Sequence, residues 1–351
     1  MKQSPGYVPG EQLDGASIIK LNTNENPYPP APEIADVLQG FDAARLRVYP
    51  APNAAQFRTI ASDLHNVPAD QVIATNGGDE LLRLAIATFV EPGASIGLCT
   101  PTYSLYEVLA WLHGASTVDA PLNDDWTLNA DTVSIWQNAG ARLGFVVNPQ
   151  APSGHLIPTS ELSAIATAFD GVLVIDEAYV DFVDPSLHYD AVTLCREHDN
   201  ILLLRTLSKG YSLAGLRFGY GLGSSAVVTP MQTKTKDSYN TDAIAQALAC
   251  AALGAQDYAS DTWARVRRDR DQLAKRLTTL GFACEPSETN FLLVRAPERA
   301  SAKELYECLR QNNILVRYFD APRLSDCLRI TIGTEAQNDE LIRALETLLS
   351  G

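Results

Sequence analysis

Short apolar runs recur along the middle of this chain with little polar alternation: QVIAT (71–75), SIGLC (95–99), RLGFVV (142–147), GVLVID (171–176), NILLLR (200–205) and RFGYGLG (217–223). Most are leucine-rich or β-branched, which suits strands buried on both faces of a mainly parallel sheet. Between them lie stretches with apolar residues at helical spacing, such as DELLRLAIATFV and ELSAIATAF. Alternating strand and helix patterns predict an α/β sheet covered by helices. Residues 242–280 then read as a long helical stretch that ends at a glycine. NFLLVRA (290–296), NILVR (313–317) and CLRITIG (327–333), with a helix over 301–311, predict a smaller α+β unit at the C-terminal end. Residues 1–50 are rich in Pro, Asn and Gly and read as an extended arm followed by a short helix ending before RVYPAP.

Length and charge narrow the picture. At 351 residues the chain is too long for one ordinary core, so two domains are expected. A net charge of −15 argues against binding nucleic acid or anionic membranes through the global field. No run is long and apolar enough to span a bilayer, and MKQSPGYVPGEQLDG lacks the apolar centre of a secretory signal. The six cysteines are scattered without a C-x-x-C pair and read as free thiols in a reducing, cytoplasmic setting. The five histidines lack i,i+4 spacing, so no metal site is expected.

Three stretches carry chemistry. In GVLVIDEAY, Asp176 ends an apolar strand, where open α/β sheets bind ligands, and Tyr179 follows three residues on. The same Asp could instead cap the next helix. In TNGGDELLRLAIATF (75–89), two glycines turn the chain into a helix, offering backbone N–H groups to an anion; a plain turn with acidic capping would look alike. In TLSKGYSLAGLRFG (206–219), Lys209 stands beside Ser208, with Arg217 downstream as a planar donor fork suited to phosphate. A desolvated lysine near other cations can form a Schiff base with an aldehyde; an isolated lysine in a loop would be merely solvated. GYGLGSS (219–225) imitates a dinucleotide fingerprint, but position 224 is Ser, and the stretch reads as a Gly-rich strand. A phosphate cradle, a carboxylate and a Schiff-base lysine are together what pyridoxal 5′-phosphate requires: the carboxylate keeps the pyridine nitrogen protonated, and the lysine holds the aldehyde and later moves the α-proton.

With these pieces in place, the chain resembles the fold-type I enzymes of the class I/II aminotransferase group, and within it the histidinol-phosphate aminotransferases. The likeness runs in order through LNTNENPYPP, RVYP, TNGGDE, PTYSLY, NPQAPSG, DEAY, TLSK, LAGLR, ETNFLLV and CLRITIGT. It implies a large domain (45–245) with a mainly parallel seven-stranded sheet between helices, a small C-terminal α+β domain (246–351), and an arm and helix (1–44) packing with the small domain. It also implies roles. Lys209 would carry the cofactor aldehyde, Asp176 would pair with the pyridine nitrogen, and Tyr179 would bond the 3-oxygen. Gly78, Asp79 (by its N–H), Thr206, Ser208 and Arg217 would hold the phosphate, with Tyr103 stacked on the ring. Tyr49 would reach the phosphate bound by the other subunit of a homodimer. Arg329 would bind the donor carboxylate or the phosphate of histidinol phosphate, while Tyr7 and the Asn22–Asn26 arm would close over the substrate. The implied reaction exchanges an amino group between L-histidinol phosphate and 2-oxoglutarate. Aromatic or broad-range aminotransfer and threonine-phosphate decarboxylation are alternatives on the same scaffold. One departure stands out. The family's usual N-P-x-N-P-T-G has an Asn where this chain has Ala151, so the 3-oxygen would be served by Tyr179 alone, by a shifted Gln150 or Asn148, or by water.

Overall fold

The structure, a computed structural model, describes residues 6, 7, 9–13, 15 and 18–350. Part of the expected arm, and of the N-terminal stretch read as lacking a signal, therefore lies outside the described residues. The strands in chain order are β1 (Ile19–Lys20), β2 (Val72–Thr75), β3 (Ser95–Leu98), β4 (Ser116–Asp119), β5 (Ala141–Val147), β6 (Val172–Asp176) and β7 (Ile201–Thr206). β8 (Gly219–Gly223), β9 (Ala283–Cys284), β10 (Phe291–Arg295), β11 (Ile314–Leu315), β12 (Arg317–Tyr318) and β13 (Cys327–Thr331) follow.

Seven strands form one sheet in the order β2-β8-β7-β6-β5-β3-β4. Only β8 runs antiparallel to its neighbours, β2 and β7. Side chains alternate between two cores, one on each face. Leu173, Ile175, Ile201 and Leu203 pack with Phe57, Leu162 and Leu248 from helices Ala55–His65, Thr159–Ala168 and Ala243–Gly254. Val174, Leu202 and Leu204 pack with Leu81, Ala85 and Leu109 from helices Gly77–Phe89 and Leu105–His113. This two-sided burial is why the strands read as continuous apolar runs. On one face the Trp136 indole lies flat over Gly97 of β3 and Gly144 of β5, which are register partners. A Cβ at Gly97 would stand 2.4 Å, and one at Gly144 2.3 Å, from the nearest ring atom. The indole N–H donates to the Leu98 carbonyl at 3.2 Å.

The C-terminal sheet runs β12-β13-β10-β9, all antiparallel. Helices Gln256–Thr279, Ala302–Gln311 and Glu335–Ser350 contribute Val266, Leu273, Leu305, Leu309, Leu341 and Leu345 to a third core with Leu292, Leu328 and Ile330. The stretch 242–280, expected as one helical region, is two helices that meet at Ala255. The arm is stitched to this unit. β1 pairs in parallel with β11, Leu21 buries its side chain in the third core, and the Leu21 carbonyl accepts from the Thr331 N–H at 2.9 Å. From there residues 22–26 cross over the carboxyl ends of β6 and β7, and this crossing makes the roof of a crevice.

Candidate active site

The floor of the crevice is built where β6 and β7 end. Asp176 closes β6 and is almost fully buried. One carboxylate oxygen accepts from the Tyr106 hydroxyl at 2.6 Å, and the other accepts from the Ala178 N–H at 3.1 Å. Burial pushes its pKa up to about 6, against the pull of those two donors. Tyr106 is itself fixed by stacking on Phe145, with centroids 4.6 Å apart. Nothing in the sequence reading singled out Tyr106. The signal was the second tyrosine of PTYSLY, three residues after Tyr103 and so on the same side of the turn that opens helix Leu105–His113.

The loop after β7 presents Thr206, Ser208 and Lys209. The Thr206 hydroxyl donates to Ser208 Oγ at 3.0 Å and accepts from the Ser208 N–H at 3.1 Å, which locks the loop. Arg217 adopts a left-handed conformation, φ 59°, and turns its guanidinium back toward this loop. It donates to Ser208 Oγ at 3.4 Å and lies 3.5 Å from the Asp79 carboxylate. Gly77 has φ +76°, and a Cβ there would stand 2.9 Å from Arg217 Nη2. Only glycine meets both demands, and the first N–H groups of helix Gly77–Phe89, including those of Gly78 and Asp79, thereby come up beside the guanidinium. Thr206, Ser208, Arg217, Gly78 and Asp79 are thus brought together as one anion cradle.

Lys209 is held from above. Its amine donates to the Thr23 carbonyl of the arm at 2.8 Å and lies 6.0 Å from the centre of the Tyr179 ring. Burial lowers its pKa to about 8; Glu25 opposes this, while Arg329, Arg217 and Lys20 reinforce it. The following residue is clamped too, since the Gly210 carbonyl accepts from Asn26 Nδ2 at 3.2 Å and from the Trp263 indole at 2.8 Å. Tyr179 packs edge-on to Phe291, and its hydroxyl accepts from Asn24 Nδ2 at 3.0 Å. That bond leaves the hydroxyl proton of Tyr179 to donate elsewhere.

Arg329 projects from β13. It donates through Nη2 to the Asn22 carbonyl at 3.1 Å, and its buried Nε has no partner among the described residues. Arg317 of β12 is its register partner, so the two guanidinium groups share one face of the sheet. Arg317 was not foreseen, because a lone arginine at the end of NILVR carries no sequence signal; only strand pairing sets it beside Arg329. Tyr103 packs edge-on against both Tyr7 (5.5 Å) and Tyr106 (5.6 Å), and burial raises its pKa.

Two further residues named from the sequence have their surroundings defined. Asn22 turns its amide to the Glu11 carbonyl at 2.9 Å and offers the crevice its backbone instead. Tyr49 is 78% exposed and stacks on Tyr239, with no contact to the crevice residues among those described. At the Ala151 departure, Gln150 donates to the carbonyls of Pro101 (2.6 Å) and Ala151 (2.7 Å) and accepts from Ser153 N–H (2.8 Å) and Oγ (2.6 Å). Asn148 donates to the Ile157 carbonyl (3.0 Å) and Tyr189 (2.8 Å) and accepts from the Ile157 N–H (2.7 Å). Both amides are consumed locally.

The chain belongs to the aminotransferases of class I and II, whose family description matches residues 16–345. Among its relatives, histidinol-phosphate aminotransferase 1 of Trichormus variabilis is 45% identical over 344 residues, covering 98% of this chain and 96% of that one. The histidinol-phosphate aminotransferase of Microcystis aeruginosa is 43% identical over 349 residues, covering 99% and 97%. The crystal structure of a Sinorhizobium meliloti histidinol-phosphate aminotransferase in complex with pyridoxal 5′-phosphate superposes with a TM-score of 0.87 at 26% identity, over 94% of this chain and 90% of that one. The architecture is accordingly that of a fold-type I transferase.

Proposed function

We propose that this chain is a pyridoxal 5′-phosphate-dependent aminotransferase that exchanges an amino group between L-histidinol phosphate and 2-oxoglutarate. The observation that carries this reading is the meeting of Lys209 with two kinds of cation. Arg217 sits with the helix N-terminus on one side, and the Arg329–Arg317 pair lies on the other. One cradle suits the cofactor phosphate and the other a substrate anion. The residues present fit the cofactor: Asp176 is held by Tyr106 where a ring nitrogen would need a carboxylate, and the buried, unpartnered Nε of Arg329 is left to donate to a substrate anion.

When bound, the cofactor supplies an aldehyde for the lysine and a ring that withdraws electrons as the substrate Cα–H bond breaks. The rest is the work of the chain. Asp176 would hold a ring nitrogen in its protonated form. Lys209, with a pKa near 8, is released as an amine that can take the α-proton and return it. Tyr179 would donate its hydroxyl proton to the ring oxygen, with Asn24 behind it, while the amides of Gln150 and Asn148 are engaged locally. Thr206, Ser208, Arg217 and the N–H groups of Gly78 and Asp79 would hold the phosphate, and Tyr103 would cover the ring. Arg329 and Arg317 give two adjacent forks, suited to a carboxylate in one half-reaction and to a phosphate dianion in the other. Tyr7 and the arm exclude water from above.

The same reading assigns residues 45–245 to the cofactor and 246–351, with the arm, to the substrate anion. Tyr49, Val48, Leu46 and Tyr239 form an exposed apolar and aromatic cluster. It suits a homodimer in which Tyr49 enters the neighbouring subunit's crevice. The acidic charge and free thiols suit the cytoplasm.

The test is an absorbance spectrum of the protein with pyridoxal 5′-phosphate, repeated after adding L-histidinol phosphate without keto acid. Conversion to the pyridoxamine form supports the reading. Conversion by phenylalanine but not by histidinol phosphate would move the substrate to aromatic amino acids, and release of CO₂ would mean decarboxylation.

A further inference from the structure

The arm does more than cover the crevice. Thr23 uses its two polar ends in opposite directions. Its carbonyl accepts from the Lys209 amine at 2.8 Å, and its hydroxyl donates to the Glu25 carboxylate. The other oxygen of Glu25 is ion-paired with Lys20 of β1. The chain of contacts Lys209–Thr23–Glu25–Lys20 therefore ties the amine to a carboxylate and the carboxylate to a second lysine. We infer that the Lys20–Glu25 pair is a positioning device for Lys209: it fixes the Thr23 carbonyl beside the Lys209 nitrogen and sets the field at that nitrogen, including when the nitrogen is joined to the cofactor. This rests on the aminotransferase reading above.

The geometry gives the pair a purpose. The groups facing Lys209 from elsewhere are Arg329 of β13, Arg217 before β8 and the Tyr179 ring after β6. Both arginines repel an ammonium, as burial does. A lysine left to them would bind protons more weakly than one beside a carboxylate. Glu25 is the leading negative group acting on Lys209. Lys20 moderates it, acting on both Glu25 and Lys209. The two side chains are 28% and 36% exposed, so solvent screens them only in part. The carboxylate arrives on the same short segment that bonds Tyr179 through Asn24 and Gly210 through Asn26. Proton affinity at Lys209 is therefore coupled to the seating of the arm.

The test compares Glu25→Gln, Lys20→Met and the double variant in the pyridoxal 5′-phosphate-loaded protein. The readout is the pH midpoint of the cofactor's absorbance change, which reports protonation at the Lys209 nitrogen. Removing the carboxylate should lower that midpoint, and removing Lys20 should raise it, each by roughly half to one pH unit. The double variant should return close to the parent. Opposite signs are the expected result, because a merely loosened arm would let solvent in and move both variants the same way. Shifts of one sign, or none, overturn the inference. Should Lys20→Met fail to fold, Lys20→Gln removes the same charge, and Lys20→Arg should keep the parent midpoint. A parent protein that shows no cofactor band would instead sink the functional reading itself.

Discussion

Single side chains in the crevice act through the partners that fix them, and Asp176 is the clearest case. Its carboxyl is pushed up to about 6 by burial, and the Tyr106 hydroxyl works against that shift. Removing the hydroxyl takes away a short bond to a charged acceptor, an effect on the order of 1.5–3 kcal/mol. Tyr106→Phe should therefore raise the Asp176 pKa, move the acid limb of the kcat/KM profile to higher pH, and weaken cofactor binding by roughly tenfold or more. The fold should survive, since the ring keeps its stacking on Phe145. A cofactor titration and a pH–rate profile check this. The comparison shows what a sequence can reveal at this scale. Asp176, Lys209 and Arg217 were legible because each stands at a strand end or turn where such a residue type has little structural reason to be. Tyr106 was not, nor were the particular bonds that Thr23 and Asn24 make within the expected arm, since these depend on partners distant in the chain. Thr23 acts through a backbone carbonyl, which no side-chain pattern can announce.

At the scale of elements, what was legible is what is buried on both sides. β2, β3, β5, β6, β7 and β8 are nearly all apolar and buried, and all six were readable as runs. β4, STVD, is a mostly exposed edge strand with polar residues, and its pattern looks like a loop. The break at Ala255 was hidden because helical spacing runs on from the alanine-rich stretch before it into the charged stretch after it. Pairing between elements also creates chemistry. Arg317 and Arg329 become neighbours only through the β12–β13 register. Arg317→Ala should raise KM for a phosphorylated amine by about tenfold to a hundredfold, with a smaller effect on glutamate, because a dianion makes fuller use of two forks. Arg329→Lys should be nearly as harmful as removal for both substrates, since an ammonium cannot reproduce a planar fork. Steady-state kinetics with both donors separate the two. Packing offers a parallel case away from the crevice: Gly144→Ala puts a methyl into the Trp136 ring and should cost about 3 kcal/mol or more in urea denaturation.

At the scale of the whole molecule, the stability of the fold depends on pH through groups that the crevice does not use. Behind β6 and β7 lies a buried polar cluster. Arg205 donates to Glu177 at 2.9 Å, Tyr189 donates to Glu177 at 3.0 Å, and His65 bonds the Tyr220 hydroxyl at 2.9 Å. Asp181 belongs to the same cluster, packed against Gly210 next to Lys209. Burial raises Asp181 to about 7 and lowers His65 to about 3, in the second case with Arg205 adding to the effect. The signs follow from proton counts. Between the ordinary carboxylate value near 4 and about 7, the folded chain holds the Asp181 proton and the unfolded chain has released it. That contribution to stability is complete below pH 4 and is lost as pH rises through 7. His65 runs the other way: between about 6.5 and 3 the unfolded chain takes up a proton that the folded chain refuses, so stability falls as pH drops. Asp181→Asn, which mimics the neutral carboxyl, should thus be stabilising relative to the parent, by a margin that grows by about 2 kcal/mol from pH 5 to pH 8. His65→Gln, which keeps a donor for Tyr220, should flatten the loss of stability from pH 7 down to pH 5. Urea midpoints for the parent and both variants at pH 5, 7 and 8 decide it. A margin for Asp181→Asn that does not change with pH would mean that Asp181 is ionised in the fold and that Arg205 serves two carboxylates at once.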